Sequence, residues 1–268
     1  LSKADLSPHT DIKFGFYTIL LSECKCEAYA YGHQYCDFSD GTLVCLTPGE
    51  SISMKENNKE FPSKGWILAF HPDLICGTPL GLNIHNYTFF SYCPEEALHL
   101  SLREKQIILE FLERIRQELE RCIDRHSKKI ISKYIELLLD YCTRFYERQF
   151  ITRSEVNKKV FREFNYLLDN HFNVKVSLST DVLSDEYCAN LLHLSPAYFN
   201  DLLKYEIGKE FKEYIQFKRF EIAKGWLVNT DKTLGQIAQE LGFSNSQYFS
   251  RLFKKITGCS PNEFRMPN

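Results

Sequence analysis

Cationic and amide side chains are closely spaced in the stretch GFSNSQYFSRLFKKITGCSPNEFR, which occupies residues 242–265. It contains Arg251, Lys254 and Lys255, preceded by a polar Asn-Ser-Gln run. Such groups can hydrogen-bond to phosphates and to the edges of bases. The alternative is an ordinary core helix with a solvated outer face, and the stretch alone does not decide between the two.

The charge of the chain is locally biased around this stretch. The whole chain of 268 residues has a net charge of −2. Residues 204–255 nevertheless hold ten Lys or Arg against six Asp or Glu, an excess of four positive charges. This excess is compatible with a polyanionic partner, but it is too small to identify one.

The composition is that of a globular protein with one or two domains. Hydrophobic residues make up 44% and charged residues 25% of the chain, which is the usual range. No run of about 18 apolar residues is present, and no signal peptide is recognisable at the start of the sequence. We therefore expect no membrane partner and a cytoplasmic location.

The histidines lack the spacing of a metal site. A cupin metal centre needs several His and a carboxylate that converge, usually beginning with an HxH pair. None of the eight His forms such a pair, and His71 in FHPD is expected to be structural. No nucleophile motif is present either. We predict no catalytic residue, no metal and no cofactor, with a cupin-type metal-dependent enzyme as the alternative.

The ten Cys predict reduced, buried thiols. They lie mostly in apolar runs such as LVCL, residues 43–46, and no CxxC occurs. Cys24 and Cys26 are separated by one residue, which is a weak signal. A thiol redox sensor is a further alternative, although no Cys stands beside an obvious cluster of Lys, Arg or His.

The C-terminal part contains an internal repeat. CANLLHLSPAYFNDLLKYEIGKEFKEY, residues 188–214, aligns with AQELGFSNSQYFSRLFKKITGCSPNEF, residues 238–264, at a constant offset of 50. Tyr198 then matches Tyr248, and Gly208 matches Gly258. Self-similarity at a fixed offset indicates one structural unit used twice.

Each copy of the repeat predicts a helix, a tight turn and a second helix, at about 185–207 and 234–257. Ser184 and Asn245 are expected N-caps, Thr233 with Gln236 forms a capping box, and Gly242 can adopt the positive φ that ends a helix. Two short helices joined in this way form a helix-turn-helix, whose second helix fits a DNA major groove. A helix over about 210–228 joins the copies, and its length of about 28 Å approaches one turn of B-DNA, about 34 Å.

The first 150 residues have a different pattern. FGFYTILL, GTLVCL and WILAF, at 14–21, 41–46 and 66–70, predict short strands of an antiparallel barrel or sandwich. Two helices follow, at 101–121 and 128–148. The polar segment 151–160 is predicted as a linker before a helical domain at 161–268. The fold class is therefore α+β.

The second of these helices is apolar on more than one face. Its continuous stripe has a helical spacing and includes Leu138, while Ile130, Leu137 and Tyr141 face elsewhere. We predict a homodimer built on this stripe and on the neighbouring helix at 101–121.

Residues 184–265 closely resemble the AraC/XylS family of bacterial transcription regulators. The resemblance rests on HLSPAYFNDLLKYEIGKEFKEYIQFKRFEIAKGWL and on IAQELGFSNSQYFSRLFKKITGCSPNEFR. It implies two helix-turn-helix subdomains joined by one long helix, promoter duplex DNA and RNA polymerase as partners, and control of transcription, most often activation. The first 100 residues look more loosely like a cupin-type sensor barrel, through GTLVCLTPGE and GWILAFHPDLI, which implies a small-molecule effector and a domain at 1–150.

The resemblance also assigns a DNA-reading face. In the first recognition helix it consists of Ala197, Asn200, Asp201 and Lys204. In the second it consists of Ser246, Gln247, Ser250 and Arg251, with Lys254 and Lys255 near the DNA backbone. The buried faces are Phe199, Leu202 and Leu203, then Phe249, Leu252 and Phe253. Asp201 stands where some members carry Arg, and since phosphate repels a carboxylate, base reading by the first helix is in doubt.

Overall fold

A computed structural model describes residues 12–13, 15–22, 40–52, 65–173 and 183–266. The chain divides into two compact units, Leu1–Asn157 with His193–Phe199, and Lys158–Leu192 with Asn200–Asn268. In the part described, no helix combines the length and the apolar character needed to cross a membrane. Cys24 and Cys26 lie outside the described residues.

The first unit contains a small antiparallel sheet. Its six strands are β1 (Ile12–Lys13), β2 (Tyr17–Ser22), β3 (Gly41–Leu46), β4 (Ser51–Ile52), β5 (Gly65–Phe70) and β6 (Leu98–Leu100). Four of them form one sheet in the order β5-β2-β3-β6, and β1 pairs with β4. Ile19 of β2 lies opposite Cys45 of β3 and Leu68 of β5.

The predicted cupin-like barrel is not confirmed by these strands. Among the described residues the main sheet has four strands and is open, with β5 and β6 at its two edges. The chain between these edge strands forms short helices, three of which begin with Pro72, Pro79 and Pro94. Proline donates no backbone hydrogen bond to a ladder and is favoured at the first position of a helix, so this segment adds no strand to the sheet.

The helices of the first unit follow the sheet and end with the longest helix of the described chain. They are α1 (Pro72–Ile75), α2 (Pro79–Asn83), 3₁₀ turns at Ile84–Asn86, Thr88–Ser91 and Pro94–Glu96, α3 (Leu102–Glu120) and α4 (Ser127–Thr152). The predicted capping box at the start of α3 is present, with the Ser101 N–H donating to Glu104 at 2.9 Å. Arg148 of α4 forms a 2.9 Å salt bridge with Glu104 and so ties α3 to α4.

The apolar stripe of α4 is part of the core of the first unit. Ile135, Leu138 and Leu139 are fully buried there, because the helix packs against α3 and β6. The prediction that this stripe forms a dimer contact is therefore wrong. Ile130 and Leu137 lie on the outer side of α4 and are 37% and 44% exposed.

The remaining helices are α5 (Ser154–Asn173), α6 (Asp185–Leu191), α7 (Pro196–Ile207), α8 (Phe211–Asn229), α9 (Leu234–Glu240), α10 (Ser246–Thr257) and α11 (Pro261–Arg265). The segment 151–160, predicted as a linker, is helical and falls at the end of α4 and the start of α5. The pairs α6–α7 and α9–α10 lie where the repeat predicts its two helix-turn-helix units, and α8 lies where it predicts the connecting helix.

Candidate nucleic-acid interface

Local capping interactions define the second helix-turn-helix unit. At the start of α9, the Thr233 N–H donates to the Gln236 side chain at 2.8 Å, which completes the predicted capping box. Gly242 ends the unit's first helix with a φ of 73°, a conformation that costs glycine little. Asn245 then caps α10 by accepting the Tyr248 N–H at 2.7 Å. The turn is therefore specified by residues within about ten positions of each other.

Aromatic packing fixes the inner face of α10. Phe249 and Phe253 are fully buried against Phe220 of α8, with ring centroids 6.2 and 6.1 Å from that of Phe220. Ile237 and Leu241 of α9 belong to the same core. Leu252, predicted to be buried, is only partly covered. Since this face points inward, the opposite face of α10 is presented to solvent.

The outer face of α10 carries the predicted DNA-reading residues. Gln247, Arg251, Lys254 and Lys255 are exposed, and Ser246 and Ser250 are half-buried. The Ser250 hydroxyl donates to the Ser246 carbonyl at 2.8 Å, so it is engaged within the helix. No salt bridge joins Arg251, Lys254 or Lys255 to a residue that the structure describes. These three cations are therefore available to an external anion.

The first helix-turn-helix unit has the same plan with a different turn. Ser184 caps α6 by accepting the Tyr187 N–H at 3.0 Å, and Ser195 caps α7 by accepting the Tyr198 N–H at 3.2 Å. The left-handed position of the turn is occupied by His193, with a φ of 57°, where the second unit has Gly242. A residue with a Cβ is less stable than glycine in this conformation.

The predicted reading residues of α7 are more covered than those of α10. Ala197, Asn200 and Asp201 are half-buried, and Lys204 is exposed. The Asn200 amide donates to Asp185 at 3.0 Å, and Lys204 lies 3.4 Å from Glu210 in an exposed salt bridge. The buried residues of this helix are those predicted, Phe199, Leu202 and Leu203. The polar groups of α7 are thus partly committed to neighbours within the chain.

The N-cap of α7 is bound by a buried carboxylate that no sequence pattern indicated. The Ser195 N–H donates to Glu96 at 2.6 Å, and the Ser195 hydroxyl donates to the second oxygen of the same carboxylate. Glu96 is 5% exposed. Burial raises the pKa of its carboxyl, although the hydrogen bonds from Ser195 and from the Cys93 N–H act in the opposite direction.

Helix α8 is held at both ends. Near its start, Tyr214 donates from its hydroxyl to Asn165 of α5 at 2.6 Å, and Phe211 packs against Phe164 of the same helix. Near its end, the Arg265 guanidinium donates to the Leu227 carbonyl at 3.3 Å and also to the Lys232 carbonyl. The family signature contains this arginine in its final FR, and its contacts show that it fastens α11 to the end of α8.

The alternative chemistries find little support in the described residues. No group of three or more His, Cys, Asp or Glu placed to hold a metal occurs among them. His71 acts as the N-cap of α1, accepting the Asp73 N–H at 3.2 Å. Burial raises the pKa of the Cys45, Cys93 and Cys142 thiols, and that of Cys188 to about 11. A raised pKa lowers the thiolate fraction on which redox sensing depends.

Comparison with known proteins supports the helix-turn-helix interpretation. Residues 188–266 match the family model described as a helix-turn-helix domain. The chain is 33% identical over 112 residues, 42% of its length, to the uncharacterised HTH-type transcriptional regulator YtdP of Bacillus subtilis. It is 24% identical over 225 residues to the uncharacterised HTH-type transcriptional regulator YijO of Escherichia coli, which covers 84% of this chain and 76% of YijO. It is also 31% identical over 101 residues, 38% of its length, to the arabinose operon regulatory protein of Salmonella typhimurium.

The extent of these matches differs between relatives. The chain spans 14% of the length of YtdP and 32% of that of the arabinose regulator. The C-terminal part of this chain therefore carries a helix-turn-helix domain similar to those of transcription regulators.

Proposed function

We propose that this protein is a sequence-specific DNA-binding regulator of transcription, of the AraC/XylS type over its whole length. The observation that carries the proposal is the outer face of α10, where Arg251, Lys254 and Lys255 are exposed and form no salt bridge with a described residue. A protein that binds duplex DNA needs such cations to replace the counterions of the phosphates. The duplicated unit and the similarity to transcription regulators support the same function.

Helix α10 is the principal base-reading element. Arginine can bind guanine with two hydrogen bonds and glutamine can bind adenine in the same way, so Arg251 and Gln247 are assigned to base edges. Ser246 and Ser250 lie beside them on the same face. Lys254 and Lys255, one turn further along the helix, are assigned to phosphates.

Helix α7 contributes less to sequence recognition. Its half-buried Asn200 donates to Asp185, and Asp201 would be repelled by phosphates. Ala197 offers only its methyl group. Lys204 is exposed, and its salt bridge with Glu210 is open to solvent, so it can exchange this partner for a phosphate at little cost.

The connecting helix sets the spacing of the two contacts. Helix α8 has 19 residues, which corresponds to about 28 Å. Successive major grooves on one face of B-DNA are about 34 Å apart. The two recognition helices are therefore proposed to enter successive major grooves, with α8 running along the DNA between them.

The partners beyond DNA follow from the same proposal. A regulator of this type acts through RNA polymerase in the cytoplasm, most often as an activator, and responds to a small molecule, as the name of the arabinose regulator suggests for that relative. We also propose a homodimer, whose contact uses the outer side of α4 with Ile130 and Leu137. A two-fold assembly would bind paired sites more tightly than one protomer, because the second contact becomes intramolecular.

Selection from a random duplex library with the full chain tests the proposal. An enriched motif of two blocks separated by about one helical turn is the expected result. The Arg251→Ala chain serves as the matched comparison. A library that shows no enrichment over several rounds would contradict sequence-specific binding.

A further inference from the structure

A cavity of about 440 Å³ lies between α8 and the turn that precedes α10. Its volume falls within the range of about 300–1,000 Å³ that is typical of small-molecule sites. Apolar and aromatic side chains form much of the wall, among them Ile215, Phe243 and Leu252. The reading of bases by the outer face of α10 does not require such a cavity.

The polar side of the cavity is cationic. Lys212, Gln216 and Arg219 line it from α8, where their spacing of four and three residues puts them on one face of the helix. Ser244 contributes a hydroxyl from the turn. The residues that line the cavity, all of them in the described part of the chain, include no Asp or Glu.

Arg219 is the most unusual group of this set. Its Nε is buried and has no hydrogen-bond partner among the described residues, and its guanidinium lies over the Phe243 ring, with Cζ 5.9 Å from the ring centroid. Burial lowers its pKa. Its charge also adds to the effect of burial in lowering the pKa of His171. A buried donor without a partner is unfavourable, and an anionic oxygen in the cavity would satisfy it.

We propose that this cavity binds a small amphipathic carboxylate, whose carboxyl group is held by Arg219 and Lys212 and whose hydrocarbon part packs on Ile215, Phe243 and Leu252. The guanidinium group matches the planar carboxylate with two parallel hydrogen bonds. A free phosphate offers the same negative oxygens, but it leaves the apolar wall without a partner. The bound carboxylate would contact both α8 and the turn before α10, and so would stabilise the arrangement of the second recognition helix on α8.

Methyl resonances of the full-length chain provide a direct test. The chain is labelled at Ile and Leu methyl groups and titrated with benzoate, 4-phenylbutyrate and cyclohexanecarboxylate, each compared with its uncharged amide. At least one carboxylate should shift the Ile215 and Leu252 signals in a saturable way, and its amide should bind at least about tenfold more weakly. Arg219→Gln should weaken the carboxylate about tenfold or more. Lys224→Gln, which removes a cation of the same helix that pairs with Glu221, should leave the affinity unchanged.

Each other outcome overturns the proposal. The absence of shifts with all three carboxylates excludes the site, and equal affinity for acid and amide excludes recognition of the charge. Inorganic phosphate is titrated in parallel, and shifts as large as those with the carboxylates would indicate a phosphate site. If Arg219→Gln lowers the thermal midpoint of the free chain, Lys212→Gln replaces it as the test variant, and unchanged affinity there also counts against the proposal. No DNA is present in these titrations, so their failure leaves the proposed function untouched.

Discussion

Tyr198 and Tyr248 are equivalent residues of the two helix-turn-helix units, and only Tyr198 is buried. Tyr198 is 6% exposed and Tyr248 is 47% exposed. The Tyr198 ring packs against Tyr92 and Phe150, with centroid distances of 5.1 and 5.3 Å. Tyr248 lies on the wall of the cavity beside α8. The repeat has thus kept the residue type while its role changed from packing in one copy to a partly solvated surface in the other.

Alanine substitution of these tyrosines should have unequal effects on stability. Tyr198→Ala removes a buried ring and should lower the free energy of unfolding by about 3–5 kcal/mol. Tyr248→Ala removes a half-exposed ring and should cost about 1 kcal/mol or less. Urea denaturation of both variants measures the difference. Equal losses would show that the two positions are packed alike.

The cations of α10 should separate into base-reading and backbone-binding groups. Arg251→Ala should weaken binding to the selected site by about 1–3 kcal/mol and relax the preference at one base pair. Lys254→Ala should weaken binding to every duplex and reduce the slope of log affinity against log salt by about one. Titrations with the selected and with a scrambled duplex, at several salt concentrations, distinguish the two. Identical behaviour of both variants would mean that the reading face is misassigned.

The buried Glu96 should make stability depend on pH in the acid range. Its pKa is raised in the folded chain, so between the unfolded and the folded pKa the folded state holds more protons than the unfolded state. Its contribution is greatest below the unfolded pKa and is lost as the pH rises through the folded value. Glu96→Gln cannot titrate but keeps an acceptor for the Ser195 N–H.

The measurement is the free energy of unfolding of the unmodified chain minus that of Glu96→Gln, taken from about pH 4 upward. This difference should fall as the pH rises and then become constant. The exposed Glu110 offers a control, Glu110→Gln. A difference that rises with pH would show that the pKa of Glu96 is lowered instead.

Two adjacent leucines of α4 separate dimerisation from folding. Leu137→Glu places a charge on the exposed outer side and should dissociate the homodimer without unfolding it. Leu138→Glu buries an unpaired charge in the core and should lower the free energy of unfolding by about 3 kcal/mol or more. Light scattering and thermal denaturation at micromolar concentration record both effects. An unmodified chain that is monomeric while it binds DNA would end the dimer hypothesis.

Local chemistry made the helix-turn-helix units predictable from the sequence. A cap such as Asn245 or a box such as Thr233 with Gln236 depends on residues three positions apart, and the repeat gave each signal twice. The buried face of α10 followed from the helical spacing of Phe249 and Phe253. The candidate reading residues came from the family resemblance, and their roles stay predictions.

Long-range contacts explain what the sequence did not reveal. Glu96 and Ser195 are 99 residues apart, and no periodicity connects them. The buried Nε of Arg219 depends on how α8 packs against the second unit, whereas its sequence neighbours suggest only a charged helix. Sheet closure likewise depends on which strands meet, and the prolines at 72, 79 and 94, which help to turn that segment into short helices, were not weighed in the barrel prediction.

Hydroxyl-radical footprinting of the full chain on its selected duplex tests the central claim most directly. Two recognition helices joined by α8 should protect two backbone segments about one helical turn apart on one face of the DNA. Arg251→Ala should weaken the protection assigned to α10 more than the other. Protection confined to a single groove, or none above that on scrambled DNA, would contradict a protein that reads DNA through two helix-turn-helix units.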